Sequence, residues 1–582
     1  MAIIGIDLGT TNSLISVYRD GGVQLLPNDL RQYMTPSCVS LLEDGSLAVG
    51  AAAKARLISH PEQTAASFKT WMGTERELSL CGRALLPHEM SALVLKKLLQ
   101  GAQAALGEPV EEAVISVPAY FNDNQRCATK LAAQLAGVPV KRLINEPSAA
   151  ALYHSYITGQ TEAKLMIIDF GGGTLDVSVV DCFEHIIEIV AIAGNNHLGG
   201  NDIDRAIAAH FCQQTGLDWE GLPPDHQARV LELAETAKIK LSHDPAGACM
   251  LILELKDTAH SLSLNAPALR HICQPIFEQV REVISRAVKD SGIPLSDVDD
   301  VVLVGGSSQL GVFVDYLEEL FSKRPTLADS PEHIVALGVG LCVGIKQRAE
   351  ELQDLVMTDV CPFSLGIATY TTQQDTNPHM ATLIPRSTIL PARRAERFVT
   401  TSPNQRHIKL EVYQGENYYA ADNLKLGEIT VSVPPDAPGA QGVIVTFAYD
   451  INGILAVAAE ASGGDKKSAV ILNPKLNLSE AELQQVLEKF DALRLQSQVG
   501  EADQLLLARA EALFAQLTGR YREEAGYLIQ QFAAAIQSGS LIQLNRARKV
   551  MEEKLNALEA FAQMDIFDLY TDENEEEEEC RP

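Results

Sequence analysis

Two rhythms divide this chain. Through residues 1–350, apolar positions switch between the two-residue period of strands and the three-to-four-residue period of helices, the pattern of an α/β region. Two segments stand out within it, IGIDLGTTNS at residues 4–13 and IIDFGGGTLD at residues 167–176. Each is a short apolar strand ending in an aspartate, Asp7 or Asp169, that turns through glycine and threonine. The residues beyond each turn, Leu14-Ile15-Ser16-Val17 and Leu175-Asp176-Val177-Ser178-Val179-Val180, alternate with period two and predict a second strand. A P-loop or a dinucleotide fold would lead from the glycines into a helix, so neither fits. A turn without side chains still lets backbone N–H groups approach phosphate oxygens, and two carboxylates at strand ends suit a hydrated magnesium ion between them. One such hairpin is an ordinary turn; two, each led by an aspartate, predict a duplicated phosphate clamp. A third loop, VVLVGGSSQLG at residues 301–311, passes through Gly305 and Gly306 into a helical pattern whose N-terminus suits phosphate or ribose. Strand-Gly-Gly-helix joints are common, and this loop adds weight only beside the other two.

The pattern then breaks. Residues 354–359, Asp-Leu-Val-Met-Thr-Asp, place three apolar side chains in a row where a linker is ordinarily polar. Either the segment docks as an added strand in one state and is released in another, or it is the first strand of the next domain. From residue 360 to 473 the character is all-β: 407–414 and 428–433 alternate, and 443–449 and 454–460 flank an Asn452-Gly453 turn, a strong hairpin signal. A compact antiparallel sandwich is predicted. Beyond residue 476 the chain is helical. Ser479 is a good N-cap before Glu480, and Leu483, Val486, Leu487 and Phe490 recur at helical spacing. Further helices over 503–517, 522–538 and 541–562 predict a bundle, and the acidic residues 572–582 a disordered tail.

Composition narrows the class. With 582 residues and 46% hydrophobic side chains, the chain can bury about three to four domains. The longest apolar run, residues 337–345, is broken by glycines and falls short of the ~18 residues of a membrane helix. The start enters a strand at once, without the basic and apolar regions of a signal peptide, so a cytoplasmic location without membrane insertion is expected. A net charge of −29 argues against a nucleic-acid surface. Ten cysteines without a C-x-x-C pair or a Cys/His cluster suggest neither zinc nor disulfides; they read as small buried apolar groups. Cys580, beside the acidic run 575–579, receives no role, since negative charge disfavours its thiolate.

Further motifs follow the same order: ISVPAYFNDNQR at 115–126, LINEPSAAAL at 143–152, NNHLGGNDID at 195–204 and YQGEN at 413–417. With the hairpins, the linker, the sandwich and the helical cap, the chain resembles the heat-shock protein 70 (DnaK) chaperone family over nearly its whole length. VCPFSLGI at 360–367, YDINGIL at 449–455 and Ser308-Gln309 are closest to the bacterial HscC-type paralogue. The resemblance implies a multidomain fold. An α/β actin-like ATPase domain of duplicated ribonuclease H-like kind would span 1–352 and a linker 353–359. An antiparallel β-sandwich for peptide would span 360–475, an α-helical lid 476–568 and an acidic disordered tail 569–582. It also implies an ATP-dependent molecular chaperone that binds and releases exposed apolar segments of unfolded or specific client proteins. ATP or ADP, Mg2+ and K+ would be its cofactors, a J-domain co-chaperone and a nucleotide exchange factor its partners, and a monomer its state.

Roles carry over residue by residue. Gly9, Thr10, Thr11 and Asn12 would hold phosphate from one side, and Gly172, Gly173 and Thr174 from the other. Asp7, Glu146 and Asp169 would surround the hydrated Mg2+, Asp176 would help bind K+, and Lys69 would orient the attacking water. Lys69 stands in an ordinary Ser-Phe-Lys-Thr sequence that otherwise reads as a solvated surface charge. Phosphoryl transfer needs positioning and charge neutralisation more than covalent chemistry, which such a set supplies. Glu235, Lys238 and Ser242 share one helical face for adenosine, with Gly305, Gly306 and Gln309 beyond the base. Pro118 and Arg126 match a nucleotide-sensing relay, and Arg142, Asn145, Leu355, Val356 and Asp359 the coupling of linker and J-domain partner. Ile367, Phe398, Ile408 and Leu410 would line the peptide cleft, with Tyr370 and Thr401 arching over it.

The chain departs from its family in places. Ile239 and Gln309 stand where an arginine usually stacks on adenine, which predicts weaker ATP binding. Tyr370 replaces a more flexible arch residue, the loop near 372–378 is longer, and Pro403 replaces a lid-latching aspartate, so that lid closure is expected to be looser. An actin-superfamily small-molecule kinase shares the phosphate hairpins, but has no reason to carry a linker, a sandwich and a lid.

Overall fold

The computed structural model describes residues 2–563 except 81, 160–161, 256–257, 371–376, 462–465, 471–479, 492–498 and 518. The strand Ala2–Leu8 has a parallel neighbour, Val110–Val117, and an antiparallel one, Asn12–Arg19; the sheet continues to Val140–Asn145 on one side and Gly22–Leu26 on the other. The strand Glu162–Phe170 repeats this order, parallel to Asp300–Val304 and antiparallel to Leu175–Phe183, and onward to Thr326–Leu327 and Ile186–Asn195. The duplication seen in two hairpins thus extends over five strands of each sheet. Helices cover these sheets, which is why the central strands are apolar on both faces.

Around the first sheet lie α1 (Ala51–Ser59), α2 (Pro87–Leu106), α3 (Asp123–Ala136) and α4 (Glu146–Thr158). Around the second lie α5 (Gly200–Thr215), α6 (Pro224–His243), α7 (Ala266–Ser291) and α8 (Gly311–Phe321). The next helix, α9 (Ile334–Lys346), holds the apolar run that glycines interrupt. They serve packing. A Cβ at Gly338 would fall 1.9 Å from the carbonyl oxygen of Ala149, so α9 crosses α4 backbone against backbone. Ala149, Leu152, Ile167, Val302, Val339 and Leu341 form the apolar cluster at this crossing.

Past α9 the strand Val356–Thr358 pairs in parallel with Ile186–Asn195, joining the edge of the second sheet. Leu355 and Met357 pack on the apolar cluster beneath. The segment expected to be a linker is therefore an added strand of the second sheet, not the first strand of the sandwich. Two four-stranded antiparallel sheets follow, one built on Leu365–Thr369, His379–Ile384, His407–Gln414 and Leu424–Ser432, the other on Ala392–Val399, Gly442–Tyr449, Leu455–Ala461 and Lys466–Val470. Alternate side chains such as Leu410, Val412, Val445, Phe447 and Val457 close the core between them.

The remaining helices are α10 (Glu480–Asp491), α11 (Glu501–Gln516), α12 (Gly519–Gln537) and α13 (Leu541–Gln563). Leu506, Leu513, Phe532, Met551 and Leu555 make α11, α12 and α13 a bundle. Val486 and Leu487 of α10 pack on the core around the first sheet, and Leu505 of α11 on the small cluster of Ala52 and Ala53 in α1. The expected cap at Ser479, the side chains of Leu483 and Phe490, most of the lengthened loop at 372–378 and the tail with Cys580 lie outside the described residues. The eight described cysteines are buried, and no disulfide joins any of them.

Candidate functional site

The two hairpin turns face each other. A Cβ at Gly172 would fall 2.0 Å from Thr11 Oγ1, so only glycine lets the turns approach this closely. Between them opens a cavity of about 300 Å3 lined by Asp7, Gly9 to Asn12, Lys69, Glu146, Asp169, Gly172 and Thr174. Its size is that of a small-molecule site. Gly305 and Gly306 line it from the third loop, which Ser307 ties to the second hairpin by donating to the Gly171 carbonyl oxygen at 2.8 Å. Gly173 and Asp176 stand behind this lining: Gly173 packs on Thr10 and Thr70, and Asp176 accepts the Tyr120 N–H at 3.1 Å.

The electrostatics of the cavity call for a cation. Burial, then Glu146, pushes the Asp169 carboxyl well above its ordinary range; the same two causes raise Asp7 and bring Asp176 up to about 7. Asp7 is oriented by Ser116, which donates to it at 2.7 Å. Among the described residues, no group of side chains is spaced to hold a metal ion directly. Asp7, Glu146 and Asp169 line one cavity, where Glu146 helps to raise both aspartates, and they would suit Mg2+ held through its own water shell. Lys69, which reads as a surface residue in sequence, is 3% exposed, and its Nζ lies 2.5 Å from Glu146 Oε1. It stands in the 3-10 turn Phe68–Trp71, whose buried Phe68 draws the lysine inward.

Where the resemblance expects adenosine, Glu235, Lys238, Ile239 and Ser242 of α6 line the cavity along one face. Lys238 is held by Asp204 at 2.7 Å and Ser242 donates to the Lys238 carbonyl oxygen at 2.9 Å. Ile239 is 48% exposed at the rim. Gln309 does not line the cavity: its Nε2 reaches Glu332 Oε1 at 3.3 Å, and Glu332 is the lining residue. Sequence reasoning missed Lys54, Asn201 and Glu332, all in the lining. Asn201 alone carried a signal, inside NNHLGGNDID.

From the cavity a chain of polar contacts leads outward. Pro118 ends the strand Val110–Val117, and its carbonyl oxygen accepts the Phe121 N–H that starts the turn into α3. Arg126 of α3 is buried; its guanidinium donates to the carbonyl oxygens of Ala119 and Phe121 and to Asn145 Oδ1 at 2.7 Å. Asn145 donates in turn to Asp359, directly after the linker strand, and Ser148 donates to the same carboxylate oxygen at 3.0 Å. The sandwich is anchored alongside. Asn452 accepts the Leu143 N–H and donates to the Lys141 carbonyl oxygen, so its amide caps the open edge of the first sheet as a strand would. Arg142 donates to the carbonyl oxygen of Ile451 at 3.0 Å. The Asn452-Gly453 hairpin is thus also the docking contact.

Of the residues expected at a peptide cleft, Ile367, Ile408 and Leu410 are buried in the sandwich core in this docked arrangement, and Phe398 packs half-buried against it. Tyr370 and Thr401 are exposed at the ends of their strands, Tyr370 by 52%.

A family model described as Hsp70 protein matches residues 3–576 of the chain. The chaperone protein DnaK of Thermotoga maritima is 36% identical over 511 residues, covering 85% of this chain and 84% of that protein. The chaperone protein DnaK of Methanothermobacter thermautotrophicus is 37% identical over 502 residues, covering 84% of this chain and 82% of its own. Members of this family bind ATP or ADP, typically with Mg2+, and work on unfolded client polypeptides with co-chaperones. By these matches the chain belongs to the Hsp70 family and is an ATPase whose hydrolysis drives a chaperone cycle.

Proposed function

We propose that this chaperone is a specialised, HscC-type member of its family, in which nucleotide controls clients through the docking of linker and sandwich. The actin-like ATPase region would be residues 1–352, the linker 353–359, the sandwich 360–475 and the lid 476–568. Gly9 to Asn12, Gly172, Gly173 and Thr174 hold the phosphates, and Asp7, Glu146 and Asp169 the hydrated Mg2+, with K+ near Asp176. The metal supplies charge neutralisation at the transferring phosphoryl group. Lys69 orients the attacking water, held in place by Glu146. Ile367, Phe398, Ile408 and Leu410, with Tyr370 and Thr401, take an extended apolar client segment once the sandwich opens.

The observation that carries this reading is that Asp359 accepts hydrogen bonds from Asn145 and Ser148 at the end of a strand paired to the nucleotide-side sheet. Nucleotide and client then act on one two-state element, as coupling requires. A J-domain partner and an exchange factor act on the same cycle. The reading places the chain in the cytoplasm as a monomer; among the described residues no helix is long and apolar enough to cross a membrane.

The test is ATP-driven release of a bound fluorescent apolar peptide. Leu355→Asp with Val356→Asp, which charges the linker strand, abolishes the acceleration by ATP while basal hydrolysis persists. Peptide release indifferent to ATP in the unaltered chain defeats the reading.

A further inference from the structure

The strand Ala392–Val399 ends its sheet: among the described residues it pairs on one side, with Gly442–Tyr449. Its other side presents a row of backbone N–H and C=O groups, the template on which an extended segment adds as a further strand. Five consecutive residues of the strand, Arg393 to Arg397, are exposed, and three of them are arginines. By strand alternation Arg393 and Arg397 share the outer face with Ala395, while Arg394 lies on the face of the buried Ala392. Opposite Arg397 stands Ile444, itself exposed.

These arginines stand apart in a chain with 76 carboxylates against 47 lysines and arginines. In the other sheet, Lys409 and Lys425 each bind Glu411 and Glu428, and Arg386 binds Asp290. Arg393, Arg394 and Arg397 are in no ion pair among the described residues; Arg394 donates to the Arg393 carbonyl oxygen at 3.0 Å. Even with Glu396 counted, the strand carries a charge of +2.

The complementary charge lies in the same chain. Residues 564–582 follow α13 outside the described residues, and seven of the eight from Asp572 to Glu579 are carboxylates. Such a run repels itself and is a poor strand former alone, so its pairing depends on cations supplied by the partner. Extended, it sends carboxylates to both faces in any register, which matches an edge with arginines on both faces. Nineteen residues span up to about 60 Å, roughly twice the width of a domain of the sandwich's size.

We infer that residues 572–579 add as a strand to the edge Ala392–Val399, held by Arg393, Arg394 and Arg397, so that the chain covers its own open edge and competes there with extended acidic segments of other chains. The contact is electrostatic and solvent-exposed, and salt releases it.

The experiment is photocrosslinking in the full chain carrying Ala395→p-benzoylphenylalanine, read by mass spectrometry on an equal mixture of isotopically light and heavy protein. At low salt, crosslinks are expected to residues 572–579, light to light and heavy to heavy. Arg393→Glu with Arg397→Glu is expected to lower their yield by about 2- to 25-fold, the scale of two exposed ion pairs. Salt at about 0.5 M lowers it likewise. Adding Glu576→Lys and Glu578→Lys to the charge-reversed chain restores the yield, which damage to the fold would not allow. A yield indifferent to charge reversal, or one that the lysines fail to restore, overturns the inference. So does the absence of crosslinks to the tail, the result if the arginines only deter other strands from pairing. Light-to-heavy crosslinks make a second copy the occupant and overturn it as well.

Discussion

Asn145 and Asp359, 214 residues apart, are joined by a 2.8 Å hydrogen bond in which the asparagine amide donates to the carboxylate. Asn145 also accepts from Arg126, so one side chain receives from the nucleotide-side helix and donates to the linker. The amide has a single orientation that satisfies both contacts, which makes it a rigid coupling between two elements that must move apart in the cycle.

Asp359→Ala leaves Asn145 Nδ2 and Ser148 Oγ buried without their acceptor in the docked state and solvated in the released one. The penalty for such groups is about 1–3 kcal/mol, or about 5- to 150-fold in the docking equilibrium. The expected outcome is loss of ATP-accelerated peptide release, with basal hydrolysis of the same order as in the unaltered chain. Single-turnover hydrolysis and peptide-release kinetics on one preparation check this.

A second contact makes docking sensitive to pH. Asp123, the first residue of α3, is buried against the sandwich; Gln414 accepts its N–H, the Leu455 N–H donates to its carboxylate, and its Oδ1 has no partner among the described residues. Burial pushes this carboxyl up to about 7, with Asp450 adding to the rise and Leu455, Arg126 and Cys127 opposing it; Lys130 stands nearby on the same helix. Once the sandwich leaves, the group returns toward its ordinary value of 3.8. The docked state therefore binds the extra proton. Its stability relative to the released state is greatest below pH 4, falls as pH rises through 4 to 7, and is flat above. Between pH 7.5 and 5.5 a fluorescence-transfer pair on α3 and the sandwich should report more docking, by at most about tenfold per pH unit. Asp123→Asn, which is neutral throughout, should flatten the profile; a profile as steep as that of the unaltered chain sinks this assignment.

The hydrolytic site gives a sharper expectation. Lys69 is buried beside Glu146, and Phe121 lies under its ammonium group at 5.7 Å. Lys69→Ala removes the only cation that the described residues place against Glu146. Hydrolysis in a single turnover should fall by about a hundredfold, the scale of losing one preorganised electrostatic contact. ATP binding, which rests on the glycine turns and α6, should change far less. Equal losses in binding and hydrolysis would place Lys69 in a structural role.

What could be read from sequence follows from how local each feature is. Asp7 and Asp169 were legible because strand, glycine turn and strand are consecutive, and the sandwich hairpin because Asn-Gly forms its turn without outside help. Lys69 was not, since nothing adjacent reveals that Phe68 is buried and carries the lysine inward; only the family resemblance singled it out. Lys54 and Glu332 reach the cavity from elements that no spacing rule connects to the hairpins. Asn452 read as a turn residue, and its second use in capping the strand Val140–Asn145 depends on a partner 309 residues away. The docking of α11 on α1 was equally silent, because alanines at helical spacing look the same in a bundle core and on a neighbouring domain. Gln309 was read as a departure from arginine, and its tie to Glu332 needed coordinates.

That tie shapes the last prediction. At the adenine rim the chain offers Ile239, which is aliphatic, and Gln309, whose amide is held on Glu332 outside the lining. Neither presents a flat cationic surface to a base. In Gln309→Arg the guanidinium inherits the Glu332 carboxylate as a partner, and that ion pair would hold its plane at the rim rather than leave it free in solvent. Stacking of a guanidinium on an aromatic ring is worth about 0.5–2 kcal/mol, so ATP should bind about 2- to 30-fold more tightly. Glu332→Gln in the same background should remove most of the gain while leaving the phosphate contacts untouched. Isothermal titration of the unaltered chain, the single variant and the double variant decides the matter: no gain from Gln309→Arg means that the adenine grip does not depend on this position, and a gain that survives Glu332→Gln means that the carboxylate does not orient it.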